Sequence, residues 1–454
     1  MPLARIMNRY KGSDFLRSVT LLVGGTAVAQ LLMVLLLPVL TRLYSPQDFS
    51  TLSVYLGLLS IFSVVATLRF ELAIPLPADD EDAANILALG LVCSAVTALL
   101  VALALYLCSA ELANWLGAPE LSRYFWILPI GILLSGAYSS FQFWMGRRQN
   151  FRAVAKTKMQ QAFFAGAVQL TYGWFSGGAL GLILGQTINN GAGAMGLVWQ
   201  SLRSDARLLS SIRPARMKQM FGAYSRFPKY STLEALCNNA SIQIPVIMIA
   251  GLAIGPEAGF LLLAMQIMQA PVSLIGSAVS QVYISKAPEK LREGQLPGFT
   301  QDTLKGIVQL GVLPLVIGGV CSPYLFSFIF GESWERTGEM VVYMIPWIAM
   351  QLLASPVSMV LHTTNNQPLA MGLQLFGVGV RVGAVAIASV IAPLQLTEFY
   401  AATGFLFYFV YLLVVLKVAG VAPSAFFGRN RIILLSVLVI YLAQFMFMLI
   451  GPVV

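Results

Sequence analysis

The chain alternates between long apolar runs and short polar breaks. Thirteen runs stand out, at 18–40, 50–74, 84–109, 122–145, 157–175, 178–200, 229–252, 257–284, 303–330, 339–361, 367–391, 397–417 and 431–451. A helix needs roughly 20 apolar residues to cross a bilayer, and most of these runs meet that length. The pattern therefore predicts an all-α polytopic membrane protein. The fifth and sixth runs are the weakest. Gly173, Gly177, Gly178, Gly181 and Gly185 interrupt them, and their connection is very short.

Composition agrees with this reading. Of 454 residues, 58% are hydrophobic and only 10% charged, against about 25% charged in soluble proteins. So few charges cannot coat a globular surface, but they suffice where lipid covers most of it. The net charge of +9 could point to nucleic acid or to a membrane surface. The placement of the charges decides for the membrane and against nucleic acid, because the basic residues fall in the short loops.

That placement also orients the chain. With the N-terminus inside, the inside segments hold 23 of the 28 Lys and Arg residues. The outside loops hold only Arg42, Arg123 and Arg336, while Arg69 and Arg381 fall within helices. This is the asymmetry of the positive-inside rule. The first run follows Arg5, Arg9, Lys11 and Arg17. It is longer than the 7–15 residues of a signal-peptide core, so it is expected to be an uncleaved first helix.

The longest polar stretch, 201–229, is basic. Pro214 could open a helix there, with Met217, Met220, Phe221 and Tyr224 at helical spacing opposite Arg216 and Lys218. That pattern predicts an interfacial helix lying on anionic lipid. The stretch divides the chain into an N-terminal lobe at 1–200, a linker at 201–228 and a C-terminal lobe at 229–418. Residues 430–454 then carry an extra helix. The expected architecture is two six-helix lobes around a central cavity. Proline-centred turns after helices one and seven, at Pro46 and Pro256, suggest that the lobes are parallel repeats.

Charges at bilayer depth usually face a protein interior or a water-filled cavity. Arg381 lies about 21 Å along its helix at 1.5 Å per residue. It either holds helix carbonyls or lines a cationic cavity suited to a phosphate. Arg69 and Glu71 lie near the inner end of helix two. Two positions apart on one helix, they should not pair. Arg69 is a cavity candidate, while Glu71 and Glu234 are ion-coupling candidates. Glu234 has Asn238 one turn away on the same face. Arg42 and Arg123 belong near the outer mouth, as anchors or as substrate contacts. Amides such as Gln142, Gln169, Gln186, Gln243 and Gln269 serve interhelical bonds or a hydroxyl-rich cargo.

Other chemistry is sparse. Cys93, Cys108, Cys237 and Cys321 lack metal-site spacing, and His362 is the single histidine. No metal, cofactor or catalytic constellation is expected. Gly191-Ala-Gly193-Ala-Met-Gly196 fits a dinucleotide motif, but it lies within an apolar helix, where close packing explains it.

Three segments carry a family resemblance. They are Pro38-Val-Leu-Thr-Arg42-Leu-Tyr44-Ser-Pro46-Gln-Asp48-Phe49, Arg69-Phe-Glu71-Leu-Ala-Ile-Pro75, and the stretch from Tyr224-Ser-Arg226-Phe-Pro228 through Pro256-Glu-Ala-Gly-Phe260 to Gly276. In order and spacing the chain resembles the Wzx-type polysaccharide exporters of the multidrug/oligosaccharidyl-lipid/polysaccharide superfamily. The resemblance implies a flippase of the bacterial inner membrane. It would carry an undecaprenyl-pyrophosphate-linked oligosaccharide to the periplasmic leaflet by alternating access. It also implies cavity cations that hold the pyrophosphate. The expected partners are the lipid-linked oligosaccharide, membrane lipid and a polysaccharide polymerase, around a monomer. That family has twelve or fourteen spans, so thirteen is a departure. The rival readings are a cation-coupled exporter of drugs or small molecules, and a membrane polymerase or ligase. The first needs a buried carboxylate, for which Glu71 is the candidate in the first half. The second needs a large outside loop, and the longest loop here is inside.

Overall fold

The computed structural model describes residues 14–116, 119–364 and 366–429. The expected span at 431–451 lies outside them. The chain forms two compact units, 1–243 and 244–454, and passes from one to the other within a helix.

The first unit contains α1 (Asp14–Leu43), α2 (Pro46–Ala66), α3 (Asp80–Trp115), α4 (Ile127–Arg147), α5 (Phe151–Phe175), α6 (Ala179–Ser204) and the linker helix α7 (Pro214–Ala223). A π-helical turn, Phe227–Ser231, leads into α8 (Thr232–Leu252), whose first half belongs to this unit. Helix α5 packs on α1 and α6, and α4 packs on α3 and α6. Ten helices among the described residues are long and apolar enough to cross a membrane. Helices α5 and α6 fall short on apolarity, but 25 and 26 residues reach about 37–39 Å, more than a hydrocarbon core.

The glycines that weakened α5 and α6 in the sequence explain how they pack. Side chains at Gly173 and Gly181 would collide with the Tyr44 ring, and one at Gly185 with Gln169. Tyr44 is thus let in between the helices, where its hydroxyl donates to the Gln169 carbonyl at 2.6 Å. Gly177 and Gly178, both at positive φ, make the tight turn between α5 and α6. The Pro46 turn is a capping box. The Ser45 hydroxyl accepts from the Asp48 amide at 3.2 Å, and the Asp48 carboxylate accepts from the Ser45 amide at 2.9 Å.

Linker helix α7 begins at Pro214, as the sequence predicts. Its apolar side is divided, with Phe221 44% exposed and two methionines turned to protein. Met217 and Met220 pack into the unit's core cluster with Phe70, Ile74 and Trp144. Arg216 is engaged by protein carboxylates, bonding Glu81, Asp79 at 3.4 Å and Asp82 at 2.9 Å. The acidic run that opens α3 is thus the protein surface that Arg216 meets.

The second unit contains α9 (Glu257–Arg292), α10 (Leu296–Ile307), α11 (Leu313–Val320), α12 (Ser322–Phe330), α13 (Glu335–Val357), α14 (Gln367–Ile391), α15 (Leu396–Val418) and α16 (Pro423–Arg429). Helix α13 is central and packs on α9, α12 and α15. The apolar run 303–330 is not one helix. A π-helical turn at Val308–Val312 precedes Pro314, and the chain breaks again at Cys321 before Pro323. Each proline lacks the amide that would continue the helix ladder. Large side chains such as Leu99, Phe163, Leu310 and Val390 stay exposed, as lipid-facing surfaces require. The protein is a multi-pass, all-helical membrane protein.

Candidate functional site

Helix α2 stops at Ala66, short of the predicted 74. Leu68 and Arg69 then adopt left-handed backbone, with φ of 50° and 62°. Such a conformation costs a non-glycine residue about 1–3 kcal/mol. A 3-10 turn, Phe70–Ala73, follows. Burial holds it in place, for Phe70 and Ile74 are fully enclosed.

This turn corrects the expectation that Arg69 and Glu71 face apart. They would in an α-helix, but here Arg69 Nη1 reaches Glu71 Oε1 at 3.5 Å. Glu71 is 3% exposed, and the Thr67 hydroxyl donates to its other oxygen. Arg69 Nε is buried and has no hydrogen-bond partner among the described residues.

Both residues line a cavity of about 460 Å³ within the first unit. Four helices supply its other polar groups, each as a pair one turn apart. Helix α2 gives Ser60 and Ser63, α4 gives Ser135 and Ser139, α6 gives Gln186 and Asn190, and α8 gives Asn239 and Gln243. Residues three or four apart share a helix face, so each helix turns one polar stripe inward. Asn239 ties α8 to α2, with its amide 3.1 Å from the Ser60 carbonyl and 3.0 Å from the Ser60 hydroxyl. Ser63 Oγ is buried without a partner. Each such atom costs about 1–3 kcal/mol unless a water or a ligand meets it. The cavity thus offers one cation, one buried carboxylate and a set of neutral hydrogen-bonding groups.

Gln186 and Gln243 were legible as amide candidates. Asn239 was legible only as a neighbour of Glu234 and Asn238, and the serines and Asn190 were not singled out. Their signal was the polar pair at helical spacing inside an apolar run. Asn239, not Asn238, is the cavity residue, and Asn238 is exposed. Glu234 is exposed in the first turn of α8 and lines no part of this cavity. Arg42, in the last turn of α1, and Arg123, in a 3-10 turn before α4, are also exposed and outside it.

Arg381 belongs to the second unit. It is 1% exposed, and its guanidinium carbon lies 4.4 Å from the Phe407 ring centre, 5.3 Å from Tyr408 and 5.7 Å from Trp347. Glycines make room for this cage, since side chains at Gly377 and Gly404 would strike Phe407 and Trp347. Arg381 Nε and Nη2 have no partners, and no carboxylate pairs with Arg381 among the described residues. Cation–π attraction of up to about 2 kcal/mol offsets only part of the several kcal/mol that burying a charge costs. Arg336 contrasts with it. Glu257, Glu339 and Glu398 all bond its guanidinium, at 3.2, 2.9 and 2.5 Å.

Residues 39–339 match the family described as polysaccharide biosynthesis protein. No curated protein matches the sequence. Among solved structures, the chain is similar to the lipid II flippase MurJ in an inward closed conformation, with a TM-score of 0.72 at 13% identity. That likeness covers 93% of this chain and 95% of the other. An inward-facing multidrug resistance MATE family transporter of the MOP superfamily gives a TM-score of 0.58 at 14% identity, over 88% and 94% of the two chains. A MOP superfamily transporter from Pyrococcus furiosus gives 0.53 at 12% identity, over 89% and 94%. The fold is that of these transporters, as the resemblance drawn from the motifs implied.

Proposed function

The chain belongs to the polysaccharide biosynthesis protein family, and from that premise we propose that it is a flippase for an undecaprenyl-pyrophosphate-linked oligosaccharide. The carrying observation is the first unit's cavity, where one guanidinium with a free buried donor stands among eight hydroxyl and amide side chains. Arg69 takes a phosphate oxygen, since a guanidinium binds phosphate through paired N–H donors. The Ser, Asn and Gln pairs take sugar hydroxyls, each able to donate and accept. Arg381 is the second candidate cation, because a buried charge without a carboxylate is kept at a cost in stability. Glu71 competes with the phosphate for Arg69 and is the candidate coupling group. Glu234, Arg42 and Arg123 stand as secondary candidates outside the cavity.

In this reading the protein sits in the inner membrane with its N-terminus in the cytoplasm, acts as a monomer and hands its cargo to a polymerase. The test is reconstitution in liposomes with a fluorescent polyprenyl-pyrophosphate oligosaccharide. Protein-dependent loss of inner-leaflet label, abolished by Arg69→Ala, is the expected result. Equal flipping by the variant would remove Arg69 from the site. No flipping of any pyrophosphate lipid would sink the reading as a whole.

A further inference from the structure

The strained turn that presents Arg69 is held from outside the spanning helices. Side chains alternate along it. Arg69 points to the cavity, while Leu68 and Phe70 enter a cluster with Met217, Met220, Tyr224 and Phe227 of the linker region. The Phe70 ring lies 5.5 Å from that of Phe221. The linker helix α7 is itself fastened. Arg216 spans two carboxylates of α3 and that of its N-cap residue Asp79, and the Arg213 amide donates to Asn85 at 2.9 Å. Phe70 cannot shift without moving its neighbour Arg69, because two consecutive left-handed residues leave the turn little freedom.

We propose that Phe221 is a positioning residue for Arg69, so that the linker helix sets the cavity's affinity for a phosphate-bearing ligand. This rests on Arg69 being the phosphate anchor. An anion bound by a rigid guanidinium is sensitive to displacements of about an ångström. A neutral sugar, held by side chains of α2, α4, α6 and α8, does not use the turn. The linker's influence is therefore specific to the anionic part of the ligand.

The experiment uses the full chain in detergent, with inorganic pyrophosphate and a neutral disaccharide as separate probes in calorimetry. Phe221→Ala is expected to weaken pyrophosphate binding roughly tenfold or more while disaccharide binding holds. Phe221→Leu, which restores an apolar cap on Phe70, should recover most of the loss. Lys218→Gln, on the exposed side of α7, should change neither. Unchanged pyrophosphate binding in Phe221→Ala, beside its loss in Arg69→Ala, overturns the inference and leaves the site intact. Equal weakening of both probes with a lowered unfolding temperature also overturns it, since that is general destabilisation. Equal effects of Lys218→Gln and Phe221→Ala would show that the contact of Phe221 with Phe70 has no special part, and would overturn it too. If the wild type binds no pyrophosphate through Arg69, the underlying reading of the site fails first.

Discussion

Arg69 and Arg381 share a charge and a membrane setting, but their surroundings differ. Arg69 has a buried carboxylate at 3.5 Å and a cavity beside it. Arg381 has three aromatic faces and, among the described residues, no carboxylate partner. Replacing a buried charge by an apolar side chain of similar volume is often neutral or stabilising by about 1–4 kcal/mol. Arg381→Met should therefore unfold at or above the wild-type temperature in detergent yet fail to support surface polysaccharide. A variant that is both destabilised and active would mark Arg381 as structural. Glu71→Gln removes the charge that competes for Arg69, so pyrophosphate binding should tighten. Weaker binding would mean that Glu71 orients Arg69 instead. Arg42→Gln and Arg123→Gln, both at exposed positions, should leave export near wild type. A loss matching that of Arg69→Ala would place them on the substrate path. Depth and charge alone were enough to single out Arg69 and Arg381. Their partners were not legible, because the α-helix assumed through residue 74 hid the left-handed pair that brings Glu71 under Arg69.

At the scale of elements, small residues decide how closely the helices meet. A side chain at Gly181 would place its Cβ 2.2 Å from the Tyr44 hydroxyl. Gly181→Leu should expel Tyr44 from between α5 and α6 and lower the unfolding temperature well beyond a surface change. An unchanged melting curve would show that the pocket is loose. Ser45→Ala removes half of the capping box at α2 and should cost about 0.5–2 kcal/mol, read as a shift in denaturation. The linker helix shows how an element can be found in sequence while its protein contacts stay hidden. Pro214 and the apolar spacing identified α7 correctly. Its docking surface could not be identified, because an apolar stripe beside basic residues suits anionic lipid and acidic protein alike. The acidic run Asp79–Asp82 was in view as a topology detail, but nothing local tied it to Arg216 across 134 or more residues of chain. The hydrogen bond to Glu81 holds the Arg216 guanidinium above its already high ordinary value. A cation with a raised pKa keeps its contribution at every pH below its unfolded value, so α7 should stay as resistant to protease at pH 9 as at pH 7.

At the scale of the whole molecule, the hydrophobic pattern and the basic loops by themselves determined that the chain is all-helical and crosses the membrane many times, and they singled out Arg69 and Arg381 as the cations that no loop holds. They could do so because the bilayer imposes one length on every crossing and because loop charge reports its side. Under the proposed function, deletion in the native host should leave lipid-linked oligosaccharide accumulating inside, detectable by mass spectrometry of extracted lipids. Intact surface glycans would count against the flippase. Tertiary structure alone decided which polar groups converge. Four separate helices each carry a modest pair of serines or amides, and a pair on one helix is indistinguishable from an interhelical bond until its neighbours are known. It also decided that Arg69 faces the cavity with one donor free. That outcome depends on a strained turn, which persists only because Phe70, Ile74 and the linker helix bury its other side.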